Sequence, residues 1–397
     1  MRKFDYLIVG AGVIGLAIAK ELKSRYVDSK ILIIEKEREI AFHASGRNSG
    51  VLHAGFYYTA NSLKAKFTRD GNRALKKYCY EKNLKINESK KVVVAQNESE
   101  LESLFELKKR GDANSVETTI IDEEELSKIE PNAKTFQKAL YSPSTATVDP
   151  IEVCNSIKND LIELGVEFSF EDKYLERVDT NSIKSSKNIY HFDRLINCSG
   201  VYADKIAKDF NFSKDYTMLP FKGLYLKYSG EDRPVKTNIY PVPNLKNPFL
   251  GVHYTITVDG SIKIGPTAIP ALWRENYSGF DRFDCKELVN ILSTEANLFI
   301  KNRFNFRDLA FEEMKKYSRK YLASLAKAQV KEIDESRFNI SIHPGIRAQL
   351  LNIKTLELVQ DFVVEGDDVS THVLNSVSPA FTSSFPFAKY VLDNFIK

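Results

Sequence analysis

The sequence predicts an α/β protein: a discontinuous Rossmann-type dinucleotide-binding domain, interrupted by an inserted domain built on an antiparallel sheet. Three observations carry this. The chain opens on an apolar run, Tyr6-Leu7-Ile8-Val9, followed at once by Gly10-Ala11-Gly12-Val13-Ile14-Gly15, a helical stretch from Leu16 to Lys23, and a second apolar run, Ile31 to Ile34, that ends in Glu35. From Tyr216 to Pro270, aromatic and β-branched residues alternate with turn residues, the pattern of an antiparallel sheet. Strand patterns then return at Ile340 to Arg347, Leu358 to Val364 and Thr371 to Leu374, so the first domain resumes near the end of the chain.

Each part of the opening motif has a physical task. Gly10 allows a tight turn out of the strand, Gly12 lets a pyrophosphate approach the backbone, and Gly15 lets the helix pack close to the sheet. The N-terminal N–H groups and dipole of the helix that follows favour phosphate, and Val13, within the glycine turn, joins the candidates. Glu35 lies 20 residues beyond Gly15, where an acid accepts hydrogen bonds from a ribose and repels a 2′-phosphate; Lys36 follows it. These six residues are the first cofactor-binding candidates.

The elements between follow from local signals. Residues 61–83 read as a helix, Lys91 to Ala95 as a short β-branched strand, and residues 98–110 and 122–129 as helices that stop before Pro131. Ala139 to Tyr141 reads as a strand. Asp149 caps a helix that runs to Leu164 and ends at Gly165. Val166 to Phe170 is a strand, with a polar hairpin region to Asp193. Arg194 to Gly200 reads as a buried strand ending in a small-residue turn, and residues 201–209 as a helix, a second strand–glycine–helix junction. Turn signals at Gly230, Pro241, Pro243, Asn247-Pro248 and Asp259-Gly260 divide the antiparallel region; residues 284–329 return to helical patterns. The segment Ser378 to Phe395 reads as mostly helical, with Pro386 expected to delay its regular turns. The domain boundaries expected are 1–84, 145–215 and 336–397 for the cofactor domain, and 85–144 and 216–335 for the substrate domain. Such an order fits a flavin oxidoreductase better than a nicotinamide enzyme, which shows longer βα alternation.

Composition narrows the function classes. The 397 residues are 43% hydrophobic and 28% charged, with a formal net charge of +4, so bulk charge gives nucleic-acid binding no support. Cys79, Cys154, Cys198 and Cys285 are far apart without CxxC spacing, which argues against a zinc site or a disulfide framework and for reduced thiols in the cytoplasm. No metal is expected. Met1-Arg2-Lys3 leads straight into the first strand, so no signal peptide is expected, and no apolar stretch approaches ~20 residues. Peripheral contact with the inner face of a membrane stays open.

The second strong signal is the run from His43 to Gly55. Ser45, Gly46, Arg47, Asn48, Ser49 and Gly50 can bring backbone N–H groups, hydroxyls and a guanidinium against a diphosphate or a planar ring. With Gly10–Gly15 and Glu35, it resembles the D-amino-acid-oxidase-like FAD enzymes. More narrowly, Gly46 to Tyr58, Ser62 to Lys66, Ile239 to Pro243, Phe249 to Thr255, Gly265-Pro266, Gly345 to Gln349 and Ser378 to Ala380 resemble the L-2-hydroxyglutarate dehydrogenase (oxidase) family. Where that family has an Arg-Gly-Glu-Tyr-like segment, this chain reads Lys222-Gly223-Leu224-Tyr225.

The resemblance implies FAD as cofactor, a small 2-hydroxy acid as substrate and a quinone or oxygen as electron acceptor. Oxidising such an acid needs a base, a cation for the carboxylate and a donor for the reduced flavin. His253 is the preferred base, with His53 as co-candidate; His343 and His43 fall behind, and His191 reads as structural. Arg347 is the leading carboxylate clamp, with Gly345 before it allowing a close turn near the flavin. Lys222, Lys64 and Lys66 are candidates for a second cation, and Tyr57 and Tyr240 for lining the pocket. Gly200, and Pro379, Ala380, Phe381 and Thr382 at the start of the last helix, complete the cofactor set. An amino-acid or sarcosine-type oxidase and a flavin-binding module without turnover remain alternatives at this point.

Overall fold

The computed structural model describes residues 3–243, 250–376 and 378–396. The expected turn at Asn247-Pro248, Phe249 of the family motif, and Met1-Arg2 lie outside the described residues. The chain forms two compact units, one of residues 1–48, 150–220 and 347–397, the other of residues 49–149 and 221–346. Residues 49–84, grouped in the sequence reading with the first domain, lie in the second unit. The reason is a long-range pairing: Val51–Leu52 is hydrogen-bonded antiparallel to Ala146–Val148, which also pairs Ile86–Asn87.

The first unit is built on one large sheet. Its strands run in the order Tyr174–Asp179, Ser182–Ser185, Ile189–Asn197, Lys3–Val9, Ile31–Ile34, Glu167–Ser169, with Ser370–Asn375 also paired to Ile189–Asn197. The central pairings are parallel. Lys3–Val9 and Ile31–Ile34 carry almost continuous apolar residues because they are covered on both faces. Val13–Arg25 buries Val13, Ile14, Leu16, Ala17, Ile18, Ala19 and Leu22, and packs against Pro150–Glu163 and Ala380–Phe395. Each such fully buried Leu or Ile stabilises the unit by about 1.5–3 kcal/mol. Val9 pairs with Ile34 on one side and Asn197 on the other. The loops beginning at Gly10, Glu35 and Cys198 therefore leave the sheet at one level, at the carboxyl ends of its strands.

The C-terminal helix departs from the sequence reading. It is regular from Ala380 through Phe395 with Pro386 inside it. The ring leaves the Thr382 carbonyl without its usual i+4 donor, yet Phe381, Phe387, Ala388, Val391 and Leu392 are buried, and that packing holds the turns together. The Leu358 to Val364 strand is also shifted, to Val363–Gly366.

The second unit contains several small sheets. One runs Asn238–Pro241, Lys91–Val94, Lys138–Ser142, Thr119–Asp122; another runs His253–Ile256, Ile262–Gly265, Leu226–Lys227, Ile340–Ser341. Asn238–Pro241, expected in a wholly antiparallel region, runs parallel to Lys91–Val94. The first sheet is buried on both faces. Val92, Val94 and Ile239 join one core with Tyr254 and Ile264, whereas Val93, Ala95, Leu140 and Tyr240 join another with Phe56, Tyr57 and Leu104. By strand alternation Lys91 shares the second face.

Candidate active site

The dinucleotide motif of the first unit has the predicted geometry. Gly10 has φ +108°, and a Cβ on it would lie 2.6 Å from the Cys198 carbonyl oxygen. A Cβ on Gly15 would lie 2.1 Å from the Gly10 carbonyl oxygen, so the helix crosses the strand's end as closely as two backbones allow. Gly12 caps the helix at an ordinary φ of −78° and gives no side-chain cap. Ser45 stands over that N-terminus instead: its Oγ accepts from the Val13 N–H at 2.9 Å, and a Cβ on Gly12 would come within 3.0 Å of it. The Glu35 carboxylate accepts from the Ala11 N–H at 2.8 Å and the Glu37 N–H at 3.0 Å, through different oxygens. Each oxygen retains a lone pair for a ribose hydroxyl.

Other cofactor candidates shape the same unit. The Asn48 amide donates to the Ser45 carbonyl at 2.7 Å, and the Arg47 Nε to the Phe42 carbonyl at 2.8 Å, which fixes the loop that carries Ser45. Gly46 sits where a Cβ would meet the Ala41 carbonyl oxygen at 2.3 Å. Lys36 pairs with Glu37 and lies 2.9 Å from His43 Nε2, so these side chains serve one another. Gly200 opens the turn after Ile189–Asn197, and Pro379 precedes a helix with no side-chain cap. Gly345 begins the strand Gly345–Asn352 rather than a close turn, and is not among the positive-φ glycines; Arg347 follows in that strand, half-buried.

The second unit gathers most of the candidate chemistry. His53, Tyr57, Tyr240 and His253 come together, whereas Ser49 and Gly50 lead into the Val51–Leu52 strand ahead of them. His253 is 4% exposed, and its ring stacks on Tyr240 with centroids 3.7 Å apart. The His253 Nδ1–H donates to the Gly251 carbonyl at 2.8 Å, which leaves Nε2 with the lone pair. Burial holds the His253 imidazole down at about 3; the hydrogen bond to the Gly251 carbonyl opposes this, and the charge of Lys91 adds a lesser push in the same direction as burial. His53 is half-buried; burial, then the charges of Lys91, His253 and Lys64, hold it well below the usual histidine range. Both rings are therefore neutral near pH 7. Burial raises the phenols of Tyr57 and Tyr240 above their usual range, so both keep their protons.

The lysines divide. Lys66 is exposed, Lys64 lies 5.2 Å over the Tyr58 ring, and the Lys222 Nζ donates to Asn276 Oδ1 at 3.1 Å. The residue that sequence reading missed is Lys91. It is 0% exposed, with Nζ 3.9 Å from the Tyr240 ring centroid, 5.2 Å from that of Tyr57 and 5.8 Å from that of Phe56. Its one sequence signal is phase: it alternates with Val93 and Ala95 on a buried face.

The cradle of Gly12, Ser45 and Glu35 fits the ADP end of a dinucleotide: an N-terminus without its own cap, a hydroxyl beside it and an acid at ribose distance along the motif. The family described as FAD dependent oxidoreductase matches residues 5–332. The mitochondrial L-2-hydroxyglutarate dehydrogenase of Bos taurus is 33% identical over 414 residues, spanning 98% of this chain and 88% of its own. The L-2-hydroxyglutarate dehydrogenase of Indibacter alkaliphilus is 35% identical over 387 residues, spanning 96% of both. The fold is shared with the FAD-bound L-alpha-glycerophosphate oxidase of Mycoplasma pneumoniae, at TM-score 0.76 and 23% identity over 99% of this chain and 94% of that one. FAD is the cofactor, and the chain belongs to the FAD-dependent oxidoreductases and, within them, to the L-2-hydroxyglutarate dehydrogenase family.

Proposed function

We propose that the protein oxidises L-2-hydroxyglutarate, or a close 2-hydroxy acid, to the 2-oxo acid. The observation that carries this reading is identity of 33–35% to L-2-hydroxyglutarate dehydrogenases along nearly the whole of both chains. Bound FAD supplies the hydride acceptor. The first unit is the cofactor-holding part and the second the substrate-binding part. Arg347 grips the carboxylate next to the reacting carbon through its planar guanidinium. A neutral histidine takes the hydroxyl proton, and the start of the Ala380–Phe395 helix offers N–H groups to negative charge on the cofactor. The electrons pass on to a quinone or to oxygen. Among the described residues, no helix is long and apolar enough to cross a membrane, and any membrane contact in this reading is peripheral.

Of the two histidines, His53 is the better-supported base. The residue is half-buried, whereas His253 spends one face on Tyr240 and one nitrogen on Gly251 and is 4% exposed. His253 then acts as a positioning residue for Tyr240. His53→Asn is expected to lower kcat by about a thousandfold, within the range of general-base catalysis, with a smaller change in KM. His253→Asn should lower kcat by only about tenfold. A reversed order would move the base to His253.

The pH profile carries a sign. A base is active when deprotonated, and the His53 pKa is held below the ordinary 6.5. The acid limb of kcat/KM therefore falls below pH 6.5 rather than above it. Anaerobic mixing with L-2-hydroxyglutarate, followed by flavin absorbance, tests the whole reading: bleaching is expected. Faster bleaching by an amino acid would make the protein an amine oxidase, and no bleaching by any candidate would leave a silent flavin protein.

A further inference from the structure

Lys91 has no task in the reading above, yet its surroundings are unusual. A lysine ammonium carries three donors and no acceptor, and burial without a counter-ion is strongly disfavoured. Among the described residues, Nζ of Lys91 is buried without a hydrogen-bond partner, and so is the hydroxyl of Tyr57, whose ring lies 5.2 Å from that nitrogen. Buried polar groups are nearly always paired, so two orphaned donors on neighbouring side chains mark a place where an acceptor is to arrive.

The geometry limits what that acceptor is. His253 and Lys91 cannot share one face of Tyr240 with separations of 3.7 and 3.9 Å, so they lie on opposite faces of its ring. The charge of Nζ acts on His53 and His253, and Nζ also lies near the rings of Phe56 and Tyr57. Those faces attract a cation but accept no full hydrogen bond. Without its ligand the amine is held down to about 7 by burial alone, and no carboxylate opposes that shift. An anion that arrives beside the amine favours its charged form, so the position offers an anion a charged donor.

We propose that Lys91, assisted by the Tyr57 hydroxyl, receives the second carboxylate of a dicarboxylic substrate and so selects dicarboxylic over monocarboxylic 2-hydroxy acids. The proposal rests on the oxidase reading above, but its site is a binding site and is testable without turnover. It replaces Lys222, Lys64 and Lys66 in the role of second cation. Lys222 is already bonded to Asn276, Lys64 lies against Tyr58, and Lys66 is exposed.

The test uses FAD-loaded Lys91→Met and Tyr57→Phe, with two measurements. In turnover, the ratio of kcat/KM for L-2-hydroxyglutarate to that for L-2-hydroxypentanoate should fall about thirtyfold or more in Lys91→Met and about fivefold in Tyr57→Phe, the range of a lost charged or neutral hydrogen bond. In binding, glutarate and pentanoate are titrated against the flavin absorbance. Wild-type protein should prefer glutarate, and Lys91→Met should not. The melting temperature of Lys91→Met without ligand should rise, by about 2 °C or more, because an unpaired buried amine is replaced by an apolar chain of similar length.

Equal losses on both acids, an unchanged ratio, or a lowered melting temperature would each overturn the proposal, the last by making Lys91 structural. Tyr57→Phe gives the same selectivity test should the lysine variant fail to fold. If wild-type protein prefers glutarate and Lys91→Met loses that preference, while L-2-hydroxyglutarate leaves the flavin unbleached, the receptor stands and the oxidase reading falls.

Discussion

Replacing Arg347 by alanine is expected to lower kcat/KM for L-2-hydroxyglutarate by about a thousandfold while FAD stays bound. A guanidinium offers two parallel N–H donors to a carboxylate, a geometry that no water reproduces with the same charge. Truncating one partner of a desolvated charge pair costs about 4 kcal/mol, and each 1.36 kcal/mol is about tenfold in rate. Arg347 lies in the Gly345–Asn352 strand, so its backbone is fixed by ladder pairing and alanine is tolerated there. Steady-state kinetics alongside the flavin-to-protein absorbance ratio check both halves. Loss of the flavin with retained fold would make Arg347 a cofactor ligand instead. Lys substitution should recover only part of the rate, because a point charge does not supply the second parallel bond.

The second large effect is on cofactor affinity. Gly12→Ala should weaken FAD binding about a hundredfold and leave the fold intact. At φ −78° any residue is accommodated, and the added methyl faces only the Ser45 hydroxyl, at 3.0 Å. What the methyl obstructs is approach of a phosphate to the helix N-terminus, at about 3 kcal/mol for a charge-assisted bond lost in a tight site. Gly10→Ala is the contrast. Its methyl would lie 2.6 Å from a backbone oxygen at φ +108°, and Gly15→Ala would place one 2.1 Å from another. Those two variants should lower the melting temperature or fail to fold. Isothermal titration of apoprotein with FAD and thermal melts separate the classes. A Gly12→Ala protein that binds FAD as wild type does would mean that the phosphates lie elsewhere.

That contrast shows how far local sequence reaches. The three glycines, Glu35 and the Ser45 loop were legible because each is required by backbone geometry within a few dozen residues. The helix start after Asp149 was legible for the same reason, and the helix runs Pro150–Glu163. Lys91 was not legible as a site residue. A lysine that opens a Lys-Val-Val-Val strand looks like a solvated edge, and only the pairing of that strand with both Asn238–Pro241 and Lys138–Ser142 buries it. The parallel sense of Asn238–Pro241 and the placement of residues 49–84 were hidden similarly, since each depends on partners about 50 or more residues away. The Ala380–Phe395 helix shows local propensity losing outright: Pro386 argued against early turns, and packing overrode it.

The division of the chain has a consequence for biosynthesis. The residues of the second unit are all translated by position 346, whereas the first unit draws on residues 1–48, 150–220 and 347–397. Its sheet includes Ser370–Asn375, and its glycine-motif helix packs on Ala380–Phe395. A ribosome that has reached residue 346 thus carries every residue of the second unit but only part of the first. Translation proceeds from the N-terminus, so the first unit becomes complete only after the second. A premature stop that removes only the last 30 residues would spare the second unit and deprive the first of its strand and its covering helix.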